Sequence, residues 1–515
     1  MAAIGLAVTG RGTKSAATAV AVLAWLLFAL VALVNLSVPF TGDQQFFSYG
    51  ARVLADGGRL YVDFWDVKQP GIYWLYQLAA SLPFGMPRSV RVLEAISWAA
   101  VAALSIGIIR RATNSAVLAA MAPALVTAVP LAVAPAWHLS QVESFAALPI
   151  TAVLYLLTGP AIGRARWFGA GVAVGVLVGL KLLLVLVPAS IMLVALSSGD
   201  GAEVAARRGG ASPLSAIVFA AFGFALTAAA ICVPFIVQGT IGELIDVSLV
   251  YPFTIIAHAA PVPVSRLLRS FAWAAWTTMP LAVMAPWALR CGTAAASSRR
   301  VVLMLLAWVV TAVLVIASQR MSWWAYHMML LKPAIAMLAL VAMARIAPIA
   351  RFLHNGRTIA VASSVIGLFV ISAATSTGQI AHKVAFFGMT HAGDARLRWE
   401  DALAPGYPRV RIEGAWARTT DTATLCVLGD PALQVSSGKR CTTSVFTWSG
   451  AALNAAMWQR MQREMRESPP ELVYLATSEL QLIRTHAPAL LTWLHQHYVV
   501  MRSGLGSDRW YRLKS

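Results

Sequence analysis

Apolar runs about as long as a bilayer-crossing helix recur along the first three-quarters of this chain, with the polar residues gathered between them. The runs fall at about residues 17–38, 90–109, 115–134, 143–159, 167–181, 182–197, 214–237, 271–289, 301–318, 326–343 and 358–375. Roughly 20 apolar residues span a hydrocarbon core as a helix, so the pattern predicts a mainly α, polytopic membrane protein of about eleven transmembrane helices. Only Lys181 separates the fifth run from the sixth, and Val178-Gly-Leu-Lys-Leu-Leu is equally open to reading as one long helix.

After about residue 376 the pattern changes to ordinary soluble composition. Thr424-Leu-Cys-Val-Leu-Gly, Glu471-Leu-Val-Tyr-Leu-Ala and Tyr498-Val-Val-Met read as strands, with helices around 449–467 and 486–496 between them. The chain thus divides into a transmembrane domain, residues 1–375, and an α/β domain, residues 376–515. Within the first, the loop 39–89 holds two stretches, 43–57 and 70–84, that read as short amphipathic helices lying on the membrane surface. Pro70 suits the first turn of the second. Cys426 and Cys441 both fall in the tail, where a disulfide would close a loop of roughly 15 residues worth about 3 kcal/mol, but their spacing leaves the pairing open. Cys232 and Cys291 read as plain apolar residues of the membrane part.

With 59% hydrophobic and 12% charged residues over 515 positions, the composition excludes an ordinary soluble protein. The net charge of +19 points to topology rather than nucleic acid, because many cations sit in short loops. Arg110/Arg111, Arg164/Arg166, Arg207/Arg208, Arg290/Arg299/Arg300 and Arg345/Arg351/Arg357 occupy alternate loops, which places those loops and the N-terminus in the cytoplasm. Arg11 and Lys14 precede a first run that is too long for a signal peptide and lacks a small-x-small cleavage site, so it reads as an uncleaved span. The loop 39–89, the turn at Trp137-His138, a loop at about 239–270, the turn 319–327 and the tail then face outward.

Three polar constellations lie on that outer side. The first gathers Asp43, Asp56, Asp63, Asp66, Arg52, Arg59 and Lys68 within a few dozen residues, in and between Thr41–Gly50 and Tyr61–Gly71. Asp43 is either chemically active or a helix N-cap, and Asp63 and Asp66 are either active or partners for Arg59 and Lys68. The second is His138, Gln141 and Glu143, a glutamate at the mouth of a span or a solvated turn residue. The third is Arg320, Trp323, Trp324, Tyr326, His327 and Lys332, where the tryptophans alone would make an interfacial belt. Arg320 and Lys332 are cations on the face where positive charge is not required, and Lys181, Arg266 and Arg269 share that property. Cations around an external cavity are what a lipid phosphate needs. There is no internal repeat and no metal-spaced Cys/His cluster.

The order of these segments carries a resemblance. An acid just after the first span is followed by Leu60-Tyr-Val-Asp-Phe-Trp-Asp-Val-Lys-Gln-Pro-Gly71, Gln141-Val-Glu143, Gly175-Val-Leu-Val-Gly-Leu-Lys181 and Tyr326-His-Met-Met-Leu-Leu-Lys-Pro333. This is similar to the dolichyl-phosphate-mannose–protein mannosyltransferase-like superfamily of GT-C glycosyltransferases, which includes bacterial aminoarabinose lipid A transferases and rhizobial lipopolysaccharide galacturonosyltransferases. Leu428-Gly-Asp-Pro-Ala-Leu-Gln-Val-Ser-Ser-Gly-Lys-Arg440 also resembles the external domain of bacterial members.

The resemblance implies an inner-membrane enzyme with a periplasmic tail, a polyprenyl-phosphate sugar donor, and a glycan, lipid A, lipopolysaccharide or protein acceptor. It carries the essential first-loop acid onto Asp43 and the second onto Glu143. Many members pair the first acid with a glutamate, whereas Gln44 follows Asp43 here, which leaves a divalent metal in doubt and one carboxylate as base. Such a donor leaves as a stable phosphate anion, so cations replace the protonating acid of a glycoside hydrolase. Asp43 would deprotonate the acceptor hydroxyl, inverting the anomeric centre. Lys68, Arg320, Lys332, His327, Lys181 and Arg266 are the expected phosphate-side residues, and Asp63, Asp66, Tyr61 and Trp65 the expected acceptor-side or supporting ones. The alternatives are a transporter or flippase of lipid-linked glycans, which also needs intramembrane charge, and a non-catalytic assembly protein that binds through its tail.

The arginine alternation makes a direct prediction. Topology reporters fused after Arg111, Arg208 and Arg357 should report cytoplasm, and one fused after Ser515 should report the outside. A cytoplasmic signal at Ser515 would refute the eleven-span count.

Overall fold

A computed structural model describes residues 11–159, 162–197, 210–258, 262–289, 296–320, 322–346, 349, 351–352, 358–389 and 393–514. Each expected apolar run is helical, and the protein is a multi-pass membrane protein. Six helices among the described residues are long and apolar enough to cross a membrane: Ser15–Asn35, Arg88–Thr113, Ala116–Val133, Pro213–Val237, Ser298–Ser318 and Ala325–Arg345. A seventh span exists if Ile359–Ala374 and Thr377–Gly388, bent by 101°, act as one. Val142–Leu157 and Leu182–Ser197 are apolar but shorter, and the remaining expected runs fall on Arg164–Leu180 and Val264–Ala282, whose first turns carry arginine. Arg207, Arg208, Arg290, Arg357 and Cys291 lie outside the described residues.

The arginines that are described explain their placement. Arg111 donates to Tyr155 O at 2.8 Å and Thr158 Oγ1 at 3.0 Å, and Arg300 donates to Gly159 O at 2.5 Å. Both therefore sit on the carbonyl end of Val142–Leu157, where unpaired carbonyls and the helix dipole favour positive charge. Helices Arg164–Leu180 and Pro213–Val237 meet backbone to backbone. A Cβ on Gly171 would stand 2.0 Å from Ala220 O, and one on Gly223 2.2 Å from Phe168 O. Small residues permit this approach in a membrane, where lipid gives helices no hydrophobic reason to associate.

The helices of the first loop run Asp43–Ala55 and Gly71–Ala80. Both are packed into the protein rather than left open along one face. Phe46, Phe47, Phe64, Tyr73 and Tyr76 are fully buried, and Phe446 of the tail joins them, 5.5 Å from Phe46 and 5.2 Å from Tyr49. This aromatic layer joins the membrane bundle to the soluble domain.

The tail is a four-stranded sheet in the order β1-β2-β4-β3, with β1 Leu425–Leu428, β2 Leu472–Leu475, β3 Tyr498–Ser503 and β4 Arg509–Leu513. β1 and β2 are parallel and the other pairs antiparallel. The first three strands match the expected ones, and β4 was not anticipated. Helices Ala455–Glu467 and Pro488–His497 separate the strands, but residues 449–454 are not part of the first. A 3-10 turn, Thr447–Ala452, stands there and reaches Asp43 and Asp66 of the first loop. Cys426 and Cys441 are free thiols that share Thr443 Oγ1, at 3.5 and 3.1 Å.

A buried brace links the first loop to the turn before Val142. Arg91 Nη1 lies 3.5 Å from Glu94 Oε2 and donates to Ser140 Oγ at 2.8 Å, while Nη2 donates to Pro39 O at 3.3 Å. Glu94 accepts from Ser140 N at 2.5 Å, Ser140 Oγ at 2.9 Å and Ser144 Oγ at 2.5 Å. Ser140 has φ 53°, a left-handed conformation unusual for serine, and these bonds hold it there. Removing one charge strands the other in an apolar bundle, typically at a cost of about 3–5 kcal/mol. Arg91→Met or Glu94→Gln alone should therefore lower the unfolding midpoint in detergent sharply, and the double substitution should lose less than the sum. An additive double variant would show that the two do not act as a pair.

Candidate functional site

Asp43 is the first residue of its helix rather than the cap. Gly42 takes that place with φ 49° and no side-chain cap bond, which frees the Asp43 carboxylate for tertiary contacts. Oδ1 accepts from Trp448 Nε1 at 2.9 Å, and Oδ2 lies 3.5 Å from Tyr326 Oη and 3.8 Å from Lys68 Nζ. Lys68 Nζ is also 3.5 Å from Asp66 Oδ2, and Asp66 in turn accepts from Tyr73 Oη at 2.5 Å and Ser449 Oγ at 3.2 Å. Burial alone would push the Lys68 ammonium down. The carboxylates of Asp43 and Asp66, with Glu143 beyond them, outweigh it and hold the group above its ordinary value. Tyr61 fixes this lysine by donating to Lys68 O at 2.8 Å, from a left-handed backbone at φ 71°.

Below this pair lies a second one. Glu143 is not a solvated turn residue: it is 2% exposed, and its Oε1 is 2.8 Å from Lys181 Nζ and 2.7 Å from His327 Nδ1. Lys181 reaches it because the chain breaks. Arg164–Leu180 ends, Lys181 is extended at φ −165° and ψ 109°, and a 3-10 turn, Leu182–Val185, starts the next helix. The one-helix alternative for this segment does not hold. Lys181 Nζ also donates to Gln319 Oε1 at 2.6 Å, and Ser322 Oγ meets His327 Nε2 at 3.2 Å. The Tyr326 and His327 rings are 4.4 Å apart, so Glu143 and Asp43 are linked through consecutive residues of one short 3-10 turn.

The other expected residues divide. Arg266 stacks on the Trp324 ring at 4.5 Å, at the rim. Arg320 is exposed, and its carbonyl accepts from Val262 N at 3.2 Å. Lys332 is 2% exposed, 4.2 Å from the Trp273 ring, and its Nζ has no hydrogen-bond partner, so it does not line an external opening. Asp63 stands apart, paired with Arg59 at 3.2 Å on the surface. Trp65 is buried against Tyr251, and its N–H donates to Ser444 O at 2.9 Å. His138 lies between Trp137 and Trp273, at ring distances of 4.0 and 4.5 Å. Sequence reasoning missed Trp448, Ser449, Tyr73 and Gln319. Nothing local marks the first two, which lie some 400 residues from the acids they touch.

Among the described residues, no three His, Cys, Asp or Glu side chains stand together to hold a metal ion. The position between Asp43 and Asp66 is taken by the Lys68 ammonium. Gln44 faces the opposite way: its Nε2 donates to Ala136 O and Leu139 O, and its Oε1 accepts from Thr41 N at 2.9 Å and from Arg91 Nη2 at 3.5 Å.

No protein-family model and no curated protein matches this sequence. Solved structures do match its fold. The crystal structure of ArnT from Cupriavidus metallidurans bound to undecaprenyl phosphate superposes with a TM-score of 0.59 at 14% identity, covering 95% of this chain and 97% of that one. The apo structure of the same protein gives 0.60 at 15% identity over the same shares. This is the GT-C fold.

Proposed function

We propose that the protein is an integral-membrane glycosyltransferase that moves a hexosyl or pentosyl group from a polyprenyl-phosphate donor to an acceptor on the periplasmic side. The acceptor is a cell-envelope glycan, lipid A or lipopolysaccharide, or a protein. The N-terminus lies in the cytoplasm of a bacterial cell, the spans in its inner membrane and the tail in the periplasm. One observation carries the reading. A carboxylate, Asp43, faces an ammonium, Lys68, across 3.8 Å, both partly accessible, at the junction of a membrane bundle and a soluble domain. The shared fold with a protein crystallised with undecaprenyl phosphate supports the donor class.

In this mechanism the acceptor oxygen attacks the anomeric carbon from the face opposite the phosphate. Its proton passes to Asp43 Oδ2, and the electron pair of the breaking C–O bond stays on the phosphate, which gives inversion. Lys68 stabilises the charge that grows on the departing phosphate, where cations act most strongly in a desolvated site. Arg266 and Arg320 stand nearer the rim for the same anion. Glu143 acts through His327 and Lys181, which it holds in place beneath Tyr326. Asp66 shares the Lys68 ammonium with Asp43, at 3.5 and 3.8 Å, and so holds it beside the base.

Asp43→Asn should abolish release of undecaprenyl phosphate from a polyprenyl-phosphate sugar while the protein still folds and binds undecaprenyl phosphate. Near-normal turnover would move the base to Asp66 or Glu143. A wild-type protein inert toward every polyprenyl-phosphate sugar would favour the transporter reading.

Lys68→Ala should weaken undecaprenyl phosphate binding roughly ten- to hundred-fold, since a charge-assisted contact contributes about 1.5–3 kcal/mol. The raised folded value keeps Lys68 protonated at neutral and mildly alkaline pH, so wild-type affinity should not fall between about pH 7 and 9. Titration of purified protein in nanodiscs measures both. Unchanged affinity in the variant would move the phosphate toward Arg266.

A further inference from the structure

The soluble tail touches both acids of the site through one turn, and that turn is anchored at each end on the membrane domain. Ahead of it, Cys441 N donates to Tyr49 Oη at 3.0 Å, Ser444 O accepts from Trp65 N at 2.9 Å, and Phe446 is buried among Phe46, Tyr49 and Phe64. After it, Asn454 N donates to Tyr251 Oη at 3.0 Å, and Arg460 donates to Tyr61 O at 3.3 Å and to Val62 O. The 3-10 turn Thr447–Ala452 spans the gap between these anchors.

At its tip the indole N–H of Trp448 meets Asp43 Oδ1 at 2.9 Å, and Ser449 Oγ meets Asp66 Oδ1 at 3.2 Å. Gly42 makes room for the indole: a Cβ there would lie 2.9 Å from Trp448 Cζ2. The remaining contacts of Asp43 with the cluster, to Tyr326 and Lys68, are on Oδ2. The two carboxylate oxygens therefore have different surroundings, one tied to the tail and one turned toward the Lys68 ammonium. An indole N–H only donates, so Trp448 takes no proton itself. What it does is stop rotation of the carboxylate, and rotation by a fraction of an ångström at a reacting group costs rate without costing affinity.

We propose that Trp448 is a positioning residue for Asp43: the soluble domain holds the base in orientation through this single indole N–H, and Ser449 does the same for Asp66 behind Lys68. The inference rests on the reading of Asp43 as base. It makes the tail a functional part of the active site, since nothing in residues 1–375 supplies a donor to Asp43 Oδ1 among the described contacts.

The test uses full-length protein in nanodiscs, with undecaprenyl-phosphate-linked aminoarabinose as donor and lipid A as acceptor. Trp448→Phe keeps the ring and loses the N–H. It should lower kcat roughly ten-fold, leave both KM values unchanged, and leave undecaprenyl phosphate binding unchanged. A readout independent of turnover is the 15N-indole resonance of Trp448, assigned by its loss in Trp448→Phe. It should shift, and its indole proton should exchange faster, in Asp43→Asn. A wild-type kcat in Trp448→Phe beside an inactive Asp43→Asn overturns this inference and leaves the base assignment standing. An active Asp43→Asn overturns the base assignment itself. An indole resonance identical in wild type and Asp43→Asn overturns the inference even if the donor is not turned over.

Discussion

An ion taken out of water into an apolar bundle costs several kcal/mol unless another charge or a set of donors meets it, and the arrangement of this protein follows from meeting that demand at each buried charge. Glu143 is met by Lys181 and His327, Glu94 by Arg91 and two serines, and Asp66 by Lys68, Tyr73 and Ser449. Lys383 is met by the carbonyls of Leu131 and Ala132, which ties the bent segment after Ala374 back onto the bundle. Arg91–Glu94 and Lys68–Asp66 are local pairs. Glu143 with Lys181 and His327, Glu94 with Ser140 and Ser144, Asp66 with Ser449, and Lys383 with Leu131 and Ala132 join elements distant in sequence, so charges that are costly singly become cross-links.

Asp43 is the least satisfied of these acids. Its close bond comes from an indole, and its second oxygen has Tyr326 and Lys68 only at 3.5 and 3.8 Å. A carboxylate held in orientation yet left short of close partners on one side is available to accept a proton, whereas both oxygens of Glu94 accept close bonds. Left-handed backbone at Tyr61, Ser140 and Trp323 surrounds the same region. Such residues cost of order 1–3 kcal/mol each and persist where neighbouring bonds over-determine them; Ser140 shows how, with its backbone and hydroxyl both bound to Glu94.

The aromatic layer explains why the two domains act together. Phe446 enters from the tail and packs against rings of the first loop, so the turn bearing Trp448 is placed by hydrophobic packing as well as by hydrogen bonds. Two acids of the loop and two donors of the tail meet only because that layer is closed.

By itself the sequence determined the elements whose signals are local. Hydrophobic runs of span length, arginines in alternate loops, and a switch to period-two and period-3.6 patterns after residue 376 are enough to specify a polytopic bundle with an α/β tail, because burial and helix periodicity act over a few neighbours. The acids of the first loop and the turn at Tyr326–His327 were legible too, since charge beside hydrocarbon is conspicuous. Which charges face each other was not. Lys332 and Lys68 look alike in sequence, yet one is buried beneath Trp273 and the other lies between two carboxylates. Tertiary structure alone decided that Gln44 turns inward, that Lys181 breaks its helix toward Glu143, and that Trp448 crosses some 400 residues of chain to reach Asp43. Those choices depend on contacts between distant elements, whose energies no local window of residues contains.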